Sequence, residues 1–199
     1  MSKEFNLAVK ERRTYYSISK KSPISNKQII GLIENAVMYV PSAFNSQSAR
    51  TVLLLNEKHD KFWQIVMGAL RKVVPGQDFS PTEKKINSFA AGYGTILFFE
   101  NDSVIKGMQD HFPSYKDNFP KWSLESNGML QFAVWVALEN EGLGASLQHY
   151  NPLIDVEVKK EWRIPDSWQL LAQMPFGLPT EKPGKKTSLL ISEKLRVLE

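Results

Sequence analysis

The sequence predicts one globular domain, residues 1–199, containing both helices and strands. Apolar residues recur at helical spacing over 29–40 and again over 59–74. Elsewhere they gather in short continuous runs rich in β-branched and aromatic side chains, at 51–55 and 93–99. Hydrophobic residues fill 42% of the 199 positions, enough for a sizeable core, and no linker or internal repeat interrupts them.

The first element is a short helix through Phe5, Leu7, Ala8 and Val9, which runs into Glu11-Arg12-Arg13-Thr14-Tyr15-Tyr16. Two adjacent guanidiniums beside a hydroxyl suit a phosphate, because Arg forks its oxygens and Thr14 adds a neutral donor. A solvated basic turn is the plainer reading of the same residues. Ser25 is the N-cap of a helix carrying Ile29, Ile30, Leu32, Ile33, Ala36 and Val37. Pro41 ends it, since proline disfavours helical geometry in the residue before it. The loop Pro41-Ser42-Ala43-Phe44-Asn45-Ser46-Gln47 follows. Its Ser, Asn and Gln side chains offer donors and acceptors without fixed charge, which suits the edge of a flat heterocycle. The alternative is an ordinary polar turn.

Residues 51–55 read as a buried strand and 59–74 as a helix stopped by Pro75-Gly76. A polar helix runs from Pro81 or Thr82 to about Ala91. The run 93–99 is the clearest strand, and its unbroken apolar character places it centrally in a sheet. Residues 101–120 are irregular, with one helix around 104–111. Aromatics and prolines alternate at Phe112-Pro113, Tyr115 and Phe119-Pro120, as in a lid or a segment packed on its own core. The longest helix spans 122–142 and is apolar around nearly its whole circumference over 129–138. Such a helix must be buried on every side, and a partner subunit meets that demand, so an obligate homodimer is expected. Gly142 is its left-handed terminator. Small residues in Leu143-Gly144-Ala145-Ser146 then permit close backbone approach. Residues 168–174 form a further strand ended by Pro175. The tail carries Lys182, Lys185 and Lys186 and finishes in an apolar run, 195–198, able to extend a neighbour's sheet.

The net charge is +4 and the isoelectric point about 9.1. Basic residues are dispersed rather than interleaved with stacking aromatics, which argues against nucleic acid and fits a small anionic ligand. The chain has no cysteine, which excludes disulfides, thiolate metal sites and cysteine nucleophiles. Its three histidines share no ligand spacing, so no metal site is expected. The first residues lack an apolar signal core and no run is long enough for a bilayer, so a soluble cytoplasmic protein without membrane partners is expected.

Four pieces thus occur in one order: Arg12-Arg13-Thr14, Pro41-Ser42-Ala43-Phe44-Asn45-Ser46-Gln47, Gly142-Leu143-Gly144-Ala145-Ser146, and a late lysine cluster. This order resembles the FMN-dependent nitroreductase family over essentially the whole chain. The stretches Trp122-Ser123-Leu124-Glu125-Ser126-Asn127-Gly128-Met129-Leu130-Gln131 and Leu147-Gln148-His149-Tyr150-Asn151-Pro152 are similar to its compact branch. That branch includes the yeast fatty-acid-repression-mutant proteins and the copper-induced lactococcal nitroreductase.

The resemblance implies an α+β fold, a central, mostly antiparallel sheet flanked by helices, in an intertwined homodimer with FMN at each interface. Arg12, Arg13, Thr14 and Tyr16 would hold the phosphate and ribityl chain. Ser42, Ala43, Asn45 and Gln47 would come from the other subunit and edge the ring. Ser126 would lie at one side of the ring, Leu147, Gln148 and His149 would present backbone groups along it, and Lys185 and Lys186 match the family's late basic pair. The implied activity is hydride transfer from NADH or NADPH through FMN to nitroaromatics, quinones and similar flat acceptors, in ping-pong turnover without a catalytic side chain. No Rossmann glycine fingerprint is present, so the nicotinamide would bind transiently. His149 suits packing and backbone presentation, with proton donation as its second reading. A flavin-binding regulator or sensor of the same fold is the alternative function, and a nucleic-acid-binding protein a more distant one.

Overall fold

The computed structural model describes residues 4–73 and 78–199. The predicted helix end at Val74 and the stop at Pro75-Gly76 lie outside them.

Helix α1 (Phe5–Glu11) leads into a two-residue strand β1 (Ile18–Ser19). Helix α2 (Asn26–Tyr39) opens with a capping box: Gln28 N donates to Ser25 Oγ at 3.3 Å, and Ser25 N donates to Gln28 Oε1 at 3.0 Å. It ends as Val40 turns extended ahead of Pro41. Strand β2 (Ala49–Leu55) starts two residues earlier than the apolar run alone implied. Helices α3 (Glu57–Val73) and α4 (Ser80–Ala90) follow, then β3 (Gly94–Asn101) and α5 (Asp102–His111). Helix α6 (Phe119–Asn140) begins before the predicted Trp122, because Pro120 falls in its first turn, where no amide donor is needed. Gly142, at φ 78°, terminates it, and Leu143 N donates back to Leu138 O at 2.9 Å. Strand β4 (Gly144–Ala145), helix α7 (Asp155–Trp162) and strand β5 (Trp168–Pro179) complete the fold. The sequence reading had no helix at α7. Eight residues with Val158 alone buried leave too little apolar periodicity to read.

The sheet runs β1-β5-β3-β2, with β4 on β5, and every pairing is antiparallel. β3 is central, as its composition predicted. The prediction that Pro175 ends the last strand is wrong: β5 continues to Pro179. Pro175 O accepts from Ser146 N, so its missing N–H faces the short β4 side and not the full ladder with β3. Leu171 is a surplus residue, because Phe98 pairs with Ala172 and Phe99 with Leu170.

Alternation along β3 feeds two cores. Ile96 and Phe98 pack with Ile29, Ile33, Leu130, Val134 and Leu138 from α2 and α6. Leu97 and Phe99 pack with Phe62, Trp63, Val66, Ile86, Phe89 and Val158 from α3, α4 and α7. The bulge turns Leu170 into the second core while Ala172, Met174 and Phe176 stay in the first. α6 is not covered on every side by its own chain, since Leu124, Met129 and Phe132 remain exposed. Among the described residues no helix is long and apolar enough to cross a membrane.

Candidate functional site

The chain leaves α1 with Arg12 in extended geometry. Tyr15 N donates to Ala145 O at 3.0 Å, and Thr14 forms a parallel bridge with Ala145. Only glycine fits beside this crossing, because a Cβ on Gly144 would meet the Tyr15 ring at 2.8 Å. The basic segment is therefore fastened to the chain that follows α6. Arg13, Thr14 and Tyr16 line a pocket of about 390 Å³ with Ser17, Glu181 and Lys185. The Arg13 guanidinium donates to Gly184 O and holds the tail alongside. Glu181, the acidic group here, accepts from Ser17 Oγ at 2.9 Å. Lys186 is exposed and does not line this pocket. Arg12 turns instead to α6, its guanidinium 4.4 Å above the Trp135 ring. The indole N–H of Trp135 is buried without a partner among the described residues.

The second part is the turn after Pro41. Phe44, Asn45 and Gln47 have φ of 55°, 51° and 51°, a left-handed geometry unfavourable by about 1 kcal/mol or more per residue. Strain of this kind gathers at functional sites. Three contacts over-determine it. Gln47 N donates to Ser42 Oγ at 2.9 Å, and Arg50 Nη1 donates to Gln47 O at 2.6 Å. The Phe44 ring lies 4.9 Å from Phe112, 5.4 Å from Phe119, 5.6 Å from Tyr115 and 5.9 Å from Trp122, centroid to centroid. The proline-punctuated aromatic stretch thus clasps this turn. Ser42, Asn45 and Gln47 line a hollow of about 390 Å³ with Arg50, Ser126 and Leu130. Ser42 and Ala43 line an adjoining one of about 430 Å³ with Phe44, Trp122, Ser126 and Met129. Ser126 donates its hydroxyl hydrogen to Trp122 O at 2.8 Å, which leaves oxygen lone pairs toward these hollows.

The third part, 147–149, differs from its expected use at one residue. Gln148 exchanges both backbone hydrogen bonds with Gln173, at 2.8 and 2.9 Å, and its side chain donates to Ser146 Oγ at 3.1 Å. Its groups are therefore spent inside the fold. Leu147, half-buried against the first core, and the exposed His149 flank Gln148. Burial, helped by the nearby Tyr16, pushes the Tyr150 phenol up to about 12, so it stays a donor.

Ser126 and Trp135 are nine residues apart on α6, about 13.5 Å and two and a half turns of helix, which puts them on opposite faces. Arg12 and the amide-rich turn consequently sit against opposite sides of α6. The pocket lined by Arg13, Thr14 and Tyr16 and the hollow lined by the turn share no residue. The basic segment and the amide-rich turn are thus separate regions of one chain. Two roomier hollows, about 650 Å³ between α3 and α4 and about 520 Å³ beneath α5, contain none of the predicted residues. Among the described residues no group of His, Asp and Glu could hold a metal ion.

The sequence pattern that defines the Nitroreductase family matches residues 9–178, from α1 to the end of β5. The chain belongs to the nitroreductase family. The chain is 36% identical over 178 residues to HBN1 of Saccharomyces cerevisiae, covering 88% of each chain. Its structure is similar to nitroreductase CinD from Lactococcus lactis in complex with chloramphenicol, with a TM-score of 0.90 and 39% identity over 98% of this chain and 100% of that one. CinD is also known in complex with 4-nitrophenol. A Desulfitobacterium hafniense nitroreductase with bound FMN shares the fold, at a TM-score of 0.73 and 14% identity over 100% of both chains.

Sequence reasoning missed three residues of the candidate site: Phe44, Arg50 and Trp135. A lone aromatic inside a polar turn was the available signal for Phe44, and Arg50 stands three residues past that turn. Nothing in the sequence pairs Trp135 with Arg12.

Proposed function

We propose that this nitroreductase is an FMN-dependent oxidoreductase passing hydride from NADH or NADPH to nitroaromatics, quinones and similar flat acceptors. The observation that carries the proposal is the placing of the basic segment, through Arg12 on Trp135, and a strained amide-rich turn on opposite sides of α6. Each half suits one end of FMN. Arg13, Thr14 and Lys185 supply cationic and hydroxyl donors for a phosphate. Ser42, Asn45 and Gln47 supply uncharged edge contacts for a ring. Leu147 and His149 add backbone groups, while Arg12 holds its place through Trp135.

Since neither half is complete alone, the working unit is a homodimer in which one protomer's basic segment meets its partner's turn. The exposed apolar surface supports this reading. Met38 and Tyr39 on α2 are 72% and 81% exposed, and Met129 and Phe132 on α6 are bare as well. FMN, when bound, would supply the redox chemistry, taking hydride from NAD(P)H and passing electrons to the acceptor; donor and acceptor using one site in turn would make the kinetics ping-pong. The chain's part is to orient and to shield, with backbone and amide donors near the ring's polar edge stabilising added negative charge. The complexes of CinD with chloramphenicol and 4-nitrophenol support a flat aromatic acceptor. The test is direct: purified protein should be yellow, sediment as a dimer and oxidise NAD(P)H with 4-nitrophenol or a quinone. Colourless protein that takes up no added FMN would refute the proposal.

A further inference from the structure

Glu100 interrupts an otherwise apolar strand and is only 1% exposed. It shares its face of β3 with Ile96 and Phe98, beneath α6. Its Oε1 accepts from Asn127 Nδ2 at 2.8 Å, and the same nitrogen donates to Phe99 O at 3.0 Å. Gln131 Nε2 then donates to Asn127 Oδ1 at 2.7 Å. Neither Glu100 Oε2 nor the buried Ser48 hydroxyl has a partner in ordinary hydrogen-bond geometry. Ser48 adjoins Ala49, which pairs with Glu100 across β2 and β3. Burial pushes the carboxyl's pKa up, against the opposing pull of Ser48, Asn127 and Arg50, with Asp102 reinforcing the rise. A neutral carboxyl is the less costly occupant of such a place.

The position of this network matters more than its chemistry. Ser48 directly follows Gln47, and its carbonyl accepts from Asn101 N at 3.0 Å. Asn127 directly follows Ser126. Glu100 therefore stands between the strand that leaves the amide-rich turn and the helix that carries Ser126, two walls of one hollow.

We propose that Glu100 is a positioning residue for the ring pocket: its carboxyl, hydrogen-bonded to Asn127, takes the buried and otherwise unpartnered Ser48 hydroxyl as its second partner, and so fixes the spacing between the 41–47 turn and Ser126. The proposal rests on the flavin reading above, and Glu100 itself touches neither cofactor nor substrate.

Three variants test it: Glu100→Leu, Glu100→Gln and Ser48→Ala. Each is assayed by FMN titration, the visible spectrum of bound FMN and thermal melting. An apolar group of similar shape in place of a buried polar one is often neutral for stability, so melting and flavin binding separate. In Glu100→Leu the FMN Kd should rise about tenfold and the bound-flavin bands should shift while the protein stays folded. Glu100→Gln keeps an acceptor for Asn127 and a polar group for Ser48, and should restore affinity to within about threefold of wild type. Ser48→Ala, which cuts the other end of the tie, should weaken FMN with an unchanged melt, and it decides the matter if the Leu variant does not fold. Folded Leu and Ala variants that bind FMN with wild-type affinity and spectrum would overturn the proposal. A wild-type protein that binds no FMN would instead remove the flavin reading beneath it.

Discussion

Phe44→Ala removes the ring that holds the strained turn while leaving the turn's polar groups in place. The ring has four aromatic neighbours at 4.9 to 5.9 Å, yet it is 51% exposed and shares itself among all four. Aromatic pairs contribute roughly 0.5–1.5 kcal/mol each, and contacts sharing one ring do not add, so about 1–2 kcal/mol is the figure for the set. That energy holds three residues at positive φ. Without it the ordered turn becomes a minor conformer, and the ligand must supply the ordering itself. FMN affinity should therefore fall about 5- to 30-fold, the equivalent of that free energy. The turn is peripheral to both cores, so the melting temperature should move little. Fluorescence-quenching titration of FMN alongside a thermal melt reads both quantities. A folded Ala variant with wild-type FMN affinity would show that the aromatic clasp does not hold the turn.

Arg13→Ala should weaken FMN by about 1.5–3 kcal/mol, the usual contribution of charged hydrogen bonds, while riboflavin, which lacks the phosphate, binds as before; equal losses for both ligands would place the phosphate elsewhere. Gly177→Ala puts a Cβ against Ser19 O at the β1–β5 pairing and should destabilise by about 1–3 kcal/mol, seen as a lower urea midpoint. His59 is buried, its Nδ1 2.8 Å from Thr95 Oγ1 and its Nε2 3.1 Å from Ala90 O, and burial lowers its pKa below 6.5. The unfolded chain protonates first as pH drops, so this contribution is intact above 6.5 and declines below it, by at most about 1.4 kcal/mol per pH unit. Glu100, raised above 4.5, acts in the opposite sense and offsets part of the decline. Urea midpoints that do not fall between pH 6.5 and 5 in wild type relative to His59→Asn would refute the assignment.

Most of the architecture was legible because periodicity reports burial. β3 read as a central strand and is buried at seven of its eight positions, and Ser25 and Gly142 carried their caps in plain view. Failures came where partner geometry overrode local preference. Pro175 reads as a strand terminator unless it is known that its nitrogen faces a two-residue neighbour. Helix α7 is too short to show a face. At the site, the sequence named the polar residues of the turn but not what bends it. The positive φ of three non-glycine residues is set by Phe44 and Arg50, contacts that no residue pattern encodes. Gln148 was drawn toward the ligand by its neighbours, yet strand alternation turns its amide inward.

In the proposed homodimer one protomer's basic segment meets its partner's amide-rich turn across α6, so damage to the two would be separable by mixing. A preparation carrying Arg13→Ala and another carrying Phe44→Ala, each impaired alone, would form hybrids on subunit exchange. In every hybrid one cavity inherits both lesions and the other inherits neither. Complementation between two crippled chains would follow from the proposed dimer, and equimolar random exchange should restore about one quarter of the cavities to normal occupancy.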